Sequence, residues 1–165
     1  MRIGQGWDRH RLVEGRPCVL GGIEFPDSDV GPLGHSDGDA VIHAVVDALL
    51  GAAALGDIGR HFPDTDERWR GVASRELLDR TVALIGDAGW RLGNADLTVI
   101  TEKPRIAPRA DEMAARLAEA LGVERGAVSV KATRGEGMGP EGRGECVTAT
   151  AVVLLRKLDP EETRP

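Results

Sequence analysis

The chain has 165 residues, of which 41% are hydrophobic and 29% are charged, a composition typical of a soluble globular protein with one domain. Its formal net charge of −6 argues against non-specific nucleic-acid binding, and its two distant cysteines form no CxxC pattern and no disulfide framework. The N-terminus does not resemble a signal peptide and no apolar run reaches membrane-spanning length, so we expect a cytoplasmic protein with no membrane partner.

Hydrophobic periodicity and turn residues predict the order β-β-α-β-α-β-β. This is an α+β domain in two layers, with helices packed on one face of a mixed sheet. Strands are predicted over residues 2–8, 17–25, 94–101, 127–133 and 145–157. Helices are predicted over residues 39–55, 74–88 and 108–121. We expect one domain over residues 1–158, followed by a polar tail from Asp159 to Pro165.

The first predicted helix is apolar almost throughout and should be buried on nearly all sides. Its exceptions, Asp39, His43 and Asp47, are spaced four residues apart and therefore share one stripe of the helix. Buried charges need partners because an unpaired buried charge is very costly. The stripe is either a scaffold that holds the histidine between two aspartates or part of a ligand-binding or catalytic site.

A second pattern places Asp8 and His10 two residues apart in or just after the first strand, so that both side chains point to one face of the sheet. With His43 they supply one carboxylate and two imidazoles, the ligand set of a catalytic zinc site with an open position. Asp39 or Asp47 could orient His43 from outside the ligand set. A lone D-x-H is weak evidence, and the histidine in a buried helix is what favours the metal.

Two other stretches are candidate anion sites. His35 and Ser36 precede the first helix, where free N–H groups and the helix dipole attract anions, although Ser36 could serve only as an N-cap. The Gly-rich stretch 131–144 could cradle phosphate or form no more than a flexible hairpin. Its possible donors are Thr133, Arg134 and Arg143, and its possible Mg²⁺ ligand is Glu136.

Taken together, these segments resemble the 2-C-methyl-D-erythritol 2,4-cyclodiphosphate synthase family of the non-mevalonate isoprenoid pathway. The resemblance covers nearly the whole chain and is carried by MRIGQGWDRH, GHSDGDAVIHAVVDALLGAAALGDIG, HFPDTD, SRELL, TEKPRIAP, VKAT and GRGE. It implies a metal-dependent phosphorus–oxygen lyase and a homotrimer with active sites between neighbouring subunits. Some members are fused to a cytidylyltransferase, for which 165 residues leave no room, so a single activity is expected.

The resemblance also implies roles for the matching residues. Zinc, or another divalent transition metal, would bind Asp8, His10 and His43, and Mg²⁺ or Mn²⁺ would bind Glu136 together with the substrate diphosphate. The catalytic residues would be His35, in a mobile flap with Ser36, and the residue at position 134. Further substrate contacts, besides Asp8 and His10, are implied in three segments: Asp57, Ile58, Gly59, Phe62, Pro63, Asp64, Thr65 and Asp66 for erythritol and phosphate; Thr101, Glu102, Lys103, Pro104, Arg105, Ile106 and Ala107 for cytidine; and Thr133, Arg134, Gly135, Glu136, Pro140 and Arg143 for the diphosphate.

Two positions depart from the family pattern. Arg134 stands where a second Thr is usual, at a position with a transition-state role, and Pro140 stands where an aromatic residue is common. The implied reaction is attack of the substrate's own phosphate on its β-phosphorus, which needs no activated Ser or Cys because that phosphate is mostly dianionic near neutral pH. Two rivals stay open: a zinc-dependent phosphohydrolase, and a catalytically weakened module that binds an isoprenoid diphosphate or a cytidine nucleotide.

Overall fold

The protein folds into one five-stranded sheet, a small hairpin and helices that cover one side of the sheet, in a computed structural model that describes residues 1–158. The predicted tail from Asp159 lies outside the described residues. The strands are β1 (Arg2–Glu14), β2 (Val19–Leu20), β3 (Ile23–Glu24), β4 (Val30–Pro32), β5 (Trp90–Ile100), β6 (Val128–Thr133) and β7 (Cys146–Lys157). The helices are α1 (Ala40–Ala53), α2 (Ile58–His61), α3 (Ser74–Asp87), α4 (Ala110–Leu121) and α5 (Gly139–Gly142), with 3-10 turns at Glu67–Trp69, Ala107–Arg109 and Arg125–Ala127.

The sheet has the strand order β4-β1-β7-β5-β6. Strands β5 and β6 are parallel and the other pairs are antiparallel, so the predicted mixed sheet in an α+β fold is confirmed. Helix α1 packs on β1 and β7, α4 packs on β6, and α3 packs on α1. The core therefore lies between one face of the sheet and the helix layer.

Two glycines of β1 let α1 approach the sheet closely. A Cβ atom at Gly4 would overlap the carbonyl oxygen of Ala48, and a Cβ atom at Gly6 would overlap that of Ala44. Glycine is the residue that permits such an approach, because every other side chain would push the two backbones apart. Since Asp8 continues the same face of β1, this contact brings α1 within reach of the strand at the next turn of the helix.

Several predicted boundaries were wrong. Strand β1 continues to Glu14 because its alternating burial persists to Leu12, and the edge strand β4 lies where no strand was predicted. The predicted strand 17–25 is the hairpin β2–β3, which turns at Gly21 and Gly22 with positive φ angles of 61° and 74°. The predicted order also merged α1 and α3 into one helical step and omitted the short helices α2 and α5.

The other face of the sheet, called here the open face, carries no helix. Side chains of β1 and β7 alternate between the two faces, and those on the open face include Ile3, Trp7 and Val152, which are 74%, 50% and 47% exposed. No helix within residues 1–158 is long and apolar enough to cross a membrane.

Candidate active site

Three potential metal ligands, called here the metal triad, converge between β1 and α1. Asp8 and His10 lie on the helix-facing side of β1, and His43 lies one turn into α1. The Nε2 atom of His10 is 2.9 Å from Asp8 Oδ2 and 3.0 Å from Nδ1 of His43, which is itself 3.1 Å from Asp8 Oδ2. The three side chains are 27%, 17% and 11% exposed, so the group is reachable from solvent on one side.

The donor set and its spacing fit a transition metal. Bonds of about 2.0–2.2 Å in a tetrahedral site place neighbouring ligand atoms about 3.3 Å apart, close to the 2.9–3.1 Å separations observed here. One carboxylate and two imidazoles with a free fourth direction are characteristic of catalytic rather than structural zinc. Within the described part of the chain, it is the one group of three Asp, Glu, His or Cys side chains whose ligand atoms lie close enough together to hold a metal ion.

The charges of the triad favour ligand binding. Burial raises the pKa of Asp8, but the interactions with the imidazoles of His10 and His43 outweigh burial and hold this pKa far below its usual range. Asp8 is therefore an anion at any physiological pH. Burial lowers the pKa of His10, yet the hydrogen bond to Asp8 outweighs it, so the pKa of His10 lies above its usual value. A metal ion that displaces the proton shared by His10 and Asp8 would meet one ionised carboxylate and two imidazoles.

A second feature, called here the edge pocket, lies at the end of the parallel pair β5–β6 and has a volume of about 290 Å³. This is close to the lower end of the usual range for ligand pockets, about 300–1,000 Å³. It is lined by Thr101, Glu102, Pro104, Arg105, Ile106, Ala107, Pro108, Ala132, Thr133 and Arg134. Proline, isoleucine and alanine form apolar walls, and two arginines and a glutamate line it as well. A wider cavity of about 730 Å³ continues from it past Lys103 and Asp29.

Glu102 organises the opening of the edge pocket. Its Oε2 accepts hydrogen bonds from Nε and Nη2 of Arg134, at 2.8 and 2.5 Å, and its Oε1 accepts one from the backbone N–H of Glu136 at 3.1 Å. This ion pair raises the pKa of Arg134, which is fully charged. Glu102 thus ties the Gly-rich loop, residues 134–144, to the segment that follows β5.

Comparison with known proteins places almost the entire chain in one family. The YgbB family model matches residues 1–156. The chain belongs to the YgbB family. It is 56% identical over 155 residues to a 2-C-methyl-D-erythritol 2,4-cyclodiphosphate synthase of Synechococcus sp. (strain JA-2-3B'a(2-13)), covering 94% of this chain and 98% of that one. A solved structure of such a synthase in a CDP-bound form is 42% identical, with a TM-score of 0.86 over 94% of this chain and 100% of the other.

Other YgbB relatives are longer. The chain is 60% identical over 153 residues to the bifunctional enzyme IspD/IspF of Anaeromyxobacter sp. (strain Fw109-5). The matched region covers 93% of this chain and 39% of that enzyme. The chain therefore spans about two fifths of the length of this bifunctional relative.

In this YgbB chain the predicted flap residues are held on several sides. The backbone oxygens of Gly34 and Ser36 accept hydrogen bonds from Arg16, at 3.1 and 2.8 Å. His35 Nε2 is 3.3 Å from the backbone oxygen of Asp66, which places the flap against the predicted erythritol segment. Ser36 does not cap α1, since its hydroxyl is buried and contacts His43 Nε2 at 3.1 Å; Asp39 is the N-cap.

The proposal that Asp39 or Asp47 orients His43 was wrong as to hydrogen bonding. Asp39 accepts from the N–H groups of Gly21 and Gly22 at 2.8 Å, besides capping α1, and burial raises its pKa to about 6. Asp47 accepts from the backbone N–H of Ile58 at 2.7 Å. As the N-cap, Asp39 has a non-helical ψ of 90°, so it does not continue the stripe of His43 and Asp47.

The remaining predicted residues lie in three separate places. Asp57 caps α2, which contains Ile58 and Gly59, and Asp66 caps the following 3-10 turn, so that Phe62, Pro63, Asp64 and Thr65 form the loop between them. The cytidine segment lines the edge pocket and its continuation. In the Gly-rich loop Gly135 is packed against Gly142, and Pro140 is the second residue of α5. Glu136 is exposed with a φ of 51°, and Arg143 pairs with Glu145 at 2.6 Å.

Sequence reasoning missed three residues that hold the site together. Ser74 is the first residue of α3, where the helix was predicted to begin, but its contact with His43 Nε2 at 2.9 Å was not expected. Asp37 and Arg16 hold Ser74 and the flap. Asp37 lies within the HSDGD segment, which is a signal that could have been followed; nothing near Arg16 in the sequence indicates its contact.

Proposed function

We propose that the chain converts 4-diphosphocytidyl-2-C-methyl-D-erythritol 2-phosphate to 2-C-methyl-D-erythritol 2,4-cyclodiphosphate and CMP. The convergence of Asp8, His10 and His43 carries this proposal, because it supplies a metal site of catalytic type in a chain that matches synthases along its length. The edge pocket offers a second ligand site, and a synthase of similar fold has been solved in a CDP-bound form, which supports a cytidine nucleotide as part of the substrate.

In the proposed reaction an oxygen of the 2-phosphate forms a bond to the β-phosphorus. The bond from the β-phosphorus to the bridging oxygen breaks, and CMP leaves with that electron pair. The nucleophile belongs to the substrate, so the protein needs to fold the substrate into a ring and neutralise its charge. A bound zinc ion would supply Lewis acidity and hold a phosphate oxygen. His35 and Ser36 would then cover the reacting phosphate.

A second cation would serve the diphosphate. Glu136 is exposed beside the edge pocket, and carboxylate plus phosphate oxygens are the ligands that Mg²⁺ or Mn²⁺ prefers. We expect Glu136→Gln to weaken the Mg²⁺ dependence of turnover while zinc content stays unchanged. Glu124→Gln, on the far side of β6, is the matched control, and an unaltered Mg²⁺ titration in the Glu136 variant would remove this residue from the site.

The proposed enzyme is a homotrimer with its active sites between subunits. The triad on β1 and the pocket on β6 lie at the same end of one sheet, because Arg9, Thr148, Ile100 and Thr133 are in register across it. They are separated by three strand spacings, about 14 Å, towards opposite edges of the sheet. A closed ring of three sheets would place the pocket edge of one chain beside the triad edge of the next and cover the exposed apolar open face.

Labelled water tests the chemistry. Intramolecular attack yields CMP and the cyclic diphosphate without solvent oxygen, so the reaction in ¹⁸O water should leave both products unlabelled by mass spectrometry. Label in CMP or in the released phosphate compound would show hydrolysis instead and would establish the phosphohydrolase. Binding of substrate and CMP without any turnover would establish the binding module.

A further inference from the structure

The far side of His43 is buried against two serines and an aspartate. Its Nδ1 faces the metal triad, and its Nε2 lies 2.9 Å from Ser74 Oγ and 3.1 Å from Ser36 Oγ. Ser74 is fully buried, and its backbone N–H donates to Asp37 Oδ2 at 2.9 Å. Its hydroxyl donates to Asp37 Oδ1.

The single hydrogen of the Ser74 hydroxyl indicates which nitrogen of His43 carries a hydrogen. A serine hydroxyl has one hydrogen, and Ser74 uses it on the carboxylate of Asp37. Toward His43 the hydroxyl oxygen can therefore only accept, so Nε2 must be the N–H donor. In a neutral His43 ring the nitrogen without a hydrogen is then Nδ1, which can accept a hydrogen bond from Nε2 of His10 at 3.0 Å.

We propose that Asp37 and Ser74 are positioning residues that hold His43 in the tautomer able to bind a metal through Nδ1. The proposal rests on the proposed function for its metal, but the tautomer itself is a property of this chain without any ion. Metal-binding histidines commonly donate their other N–H to a carboxylate or carbonyl, and such partners affect metal affinity about 10- to 100-fold. Here a serine stands between the imidazole and the carboxylate.

Asp37 has a second duty that must be separated from the first. By accepting from the backbone N–H of Ser74 it caps the N-terminus of α3, where the preceding residue, Ala73, offers no side-chain cap. Loss of Asp37 will therefore cost stability whether or not it acts on His43. The two duties differ in one respect: the cap uses the backbone of Ser74, whereas the tautomer depends on its hydroxyl.

The direct test is a long-range ¹H–¹⁵N NMR spectrum of the zinc-free protein. We expect the Nε2 resonance of His43 to be that of a protonated nitrogen in the wild type. In Ser74→Ala the remaining partner, Ser36, can donate as well as accept, so the form protonated at Nδ1 should become populated. An unprotonated Nε2 in the wild type would overturn the proposal.

Zinc affinity, measured by chelator competition, supplies a double-mutant cycle. Ser74→Ala and Asp37→Ala should each raise the zinc dissociation constant about 10- to 100-fold. The double variant should be no weaker than the weaker single variant, because the relay is already broken, whereas the stability losses should add. Additive effects on zinc affinity would overturn the proposal.

Thr81→Ala is the control, because Thr81 is a buried hydroxyl of α3 that bonds to Leu77 rather than to His43. It should lower the unfolding midpoint without changing the tautomer. If Ser74→Ala does not fold, Asp37→Ala alone decides the matter, since Asp37 is less buried than Ser74. A wild type that shows the expected tautomer but binds no zinc would contradict the proposed function and leave the assignment of Asp37 and Ser74 intact.

Discussion

Each imidazole of the metal triad is fixed by an acceptor on its far side. His10 donates through Nδ1 to the backbone oxygen of Leu33 at 2.7 Å, which leaves Nε2 for a ligand. His43 donates through Nε2 to the hydroxyl of Ser74, which leaves Nδ1 for a ligand. Ring orientation and tautomer are therefore set before any ion arrives. Such preorganisation means that losing a single ligand should remove the site without removing the fold.

His43→Ala is predicted to lose bound zinc and activity while keeping the native circular dichroism spectrum, because the apolar faces of α1 remain buried. We expect about one zinc per chain in the wild type, as measured by elemental analysis of the purified protein. His61→Ala is the matched control, since His61 bonds to the backbone of Leu55 outside the triad and should keep its zinc. Full zinc content in His43→Ala would show that the ligands are assigned wrongly.

Arg134 is the second residue whose side chain decides a prediction. Its guanidinium lies at the opening of the edge pocket, where a hydrogen bond to Glu102 holds it. A guanidinium forms charge-assisted bonds to phosphate about twice as strong as those of a neutral hydroxyl. If Arg134 stabilises charge on the leaving phosphate, Arg134→Ala should lower kcat on the order of a hundredfold, and Arg134→Thr should restore part of the loss.

The control for this series is Arg116→Ala, which removes another exposed arginine paired with a glutamate, Glu119, on α4. It should leave kcat unchanged in the same CMP-release assay. A wild-type kcat in Arg134→Ala would mean that the arginine only closes the pocket against Glu102 and takes no part in the reaction.

At the scale of elements, the site is produced by the contact between α1 and β1. Periodicity and short motifs predicted the buried helix and the metal triad, because such patterns report on residues that share one face of a helix or strand. The edge-pocket segment was expected only from the family resemblance. It did not predict the partners of Asp39 and Asp47, which are backbone N–H groups of the β2–β3 turn and of α2. Spacing on a helix shows which residues share a face, but it does not show which chain segment packs opposite that face.

The same limit explains Ser74 and the glycines of β1. Ser74 fits a cap pattern in sequence, yet Asp37 supplies that cap from 37 residues away. Gly4 and Gly6 looked like ordinary glycines of a strand, although their lack of a side chain sets how deeply α1 sits. These are tertiary contacts between segments distant in the sequence, and local patterns contain little information about them.

The role of Gly6 can be measured. Gly6→Ala should lower the free energy of unfolding by about 1–3 kcal/mol, because its methyl group would overlap the backbone oxygen of Ala44 and push α1 outward. It should also weaken zinc binding, since His43 moves with α1 away from Asp8 and His10. Urea unfolding and chelator competition measure the two effects.

Gly51→Ala, in α1 itself, is the matched control because a Cβ atom there meets no other atom within 4 Å. It should be neutral or stabilise the protein by up to about 1 kcal/mol through helix propensity. Equal stability of the two variants would show that the close approach at Gly6 does not constrain the fold.

At the scale of the whole molecule, one face of the sheet is not covered by helices. The helices cover a single face, and the open face carries Ile3, Trp7 and Val152 in the central strands β1 and β7. Isolated apolar residues are common on protein surfaces, but an apolar group at the centre of an uncovered sheet is typical of an interface. The proposed trimer covers this face and joins each triad to a neighbour's edge pocket, so assembly and activity should be lost together.

Val152→Lys tests this coupling. Val152 lies opposite Asp96 in the sheet, so a lysine should be tolerated in the isolated chain, whereas three buried lysines would repel one another in a trimer. Sedimentation velocity should change from a trimer to a species of 17.5 kDa, and CMP release should fall to background. Zinc content should persist, because all three ligands belong to one chain.

Ala83→Lys, on the exposed side of α3, is the control and should remain trimeric and active. A fully active monomer would contradict the intersubunit site, and an unaltered trimer would show that the open face is not the interface.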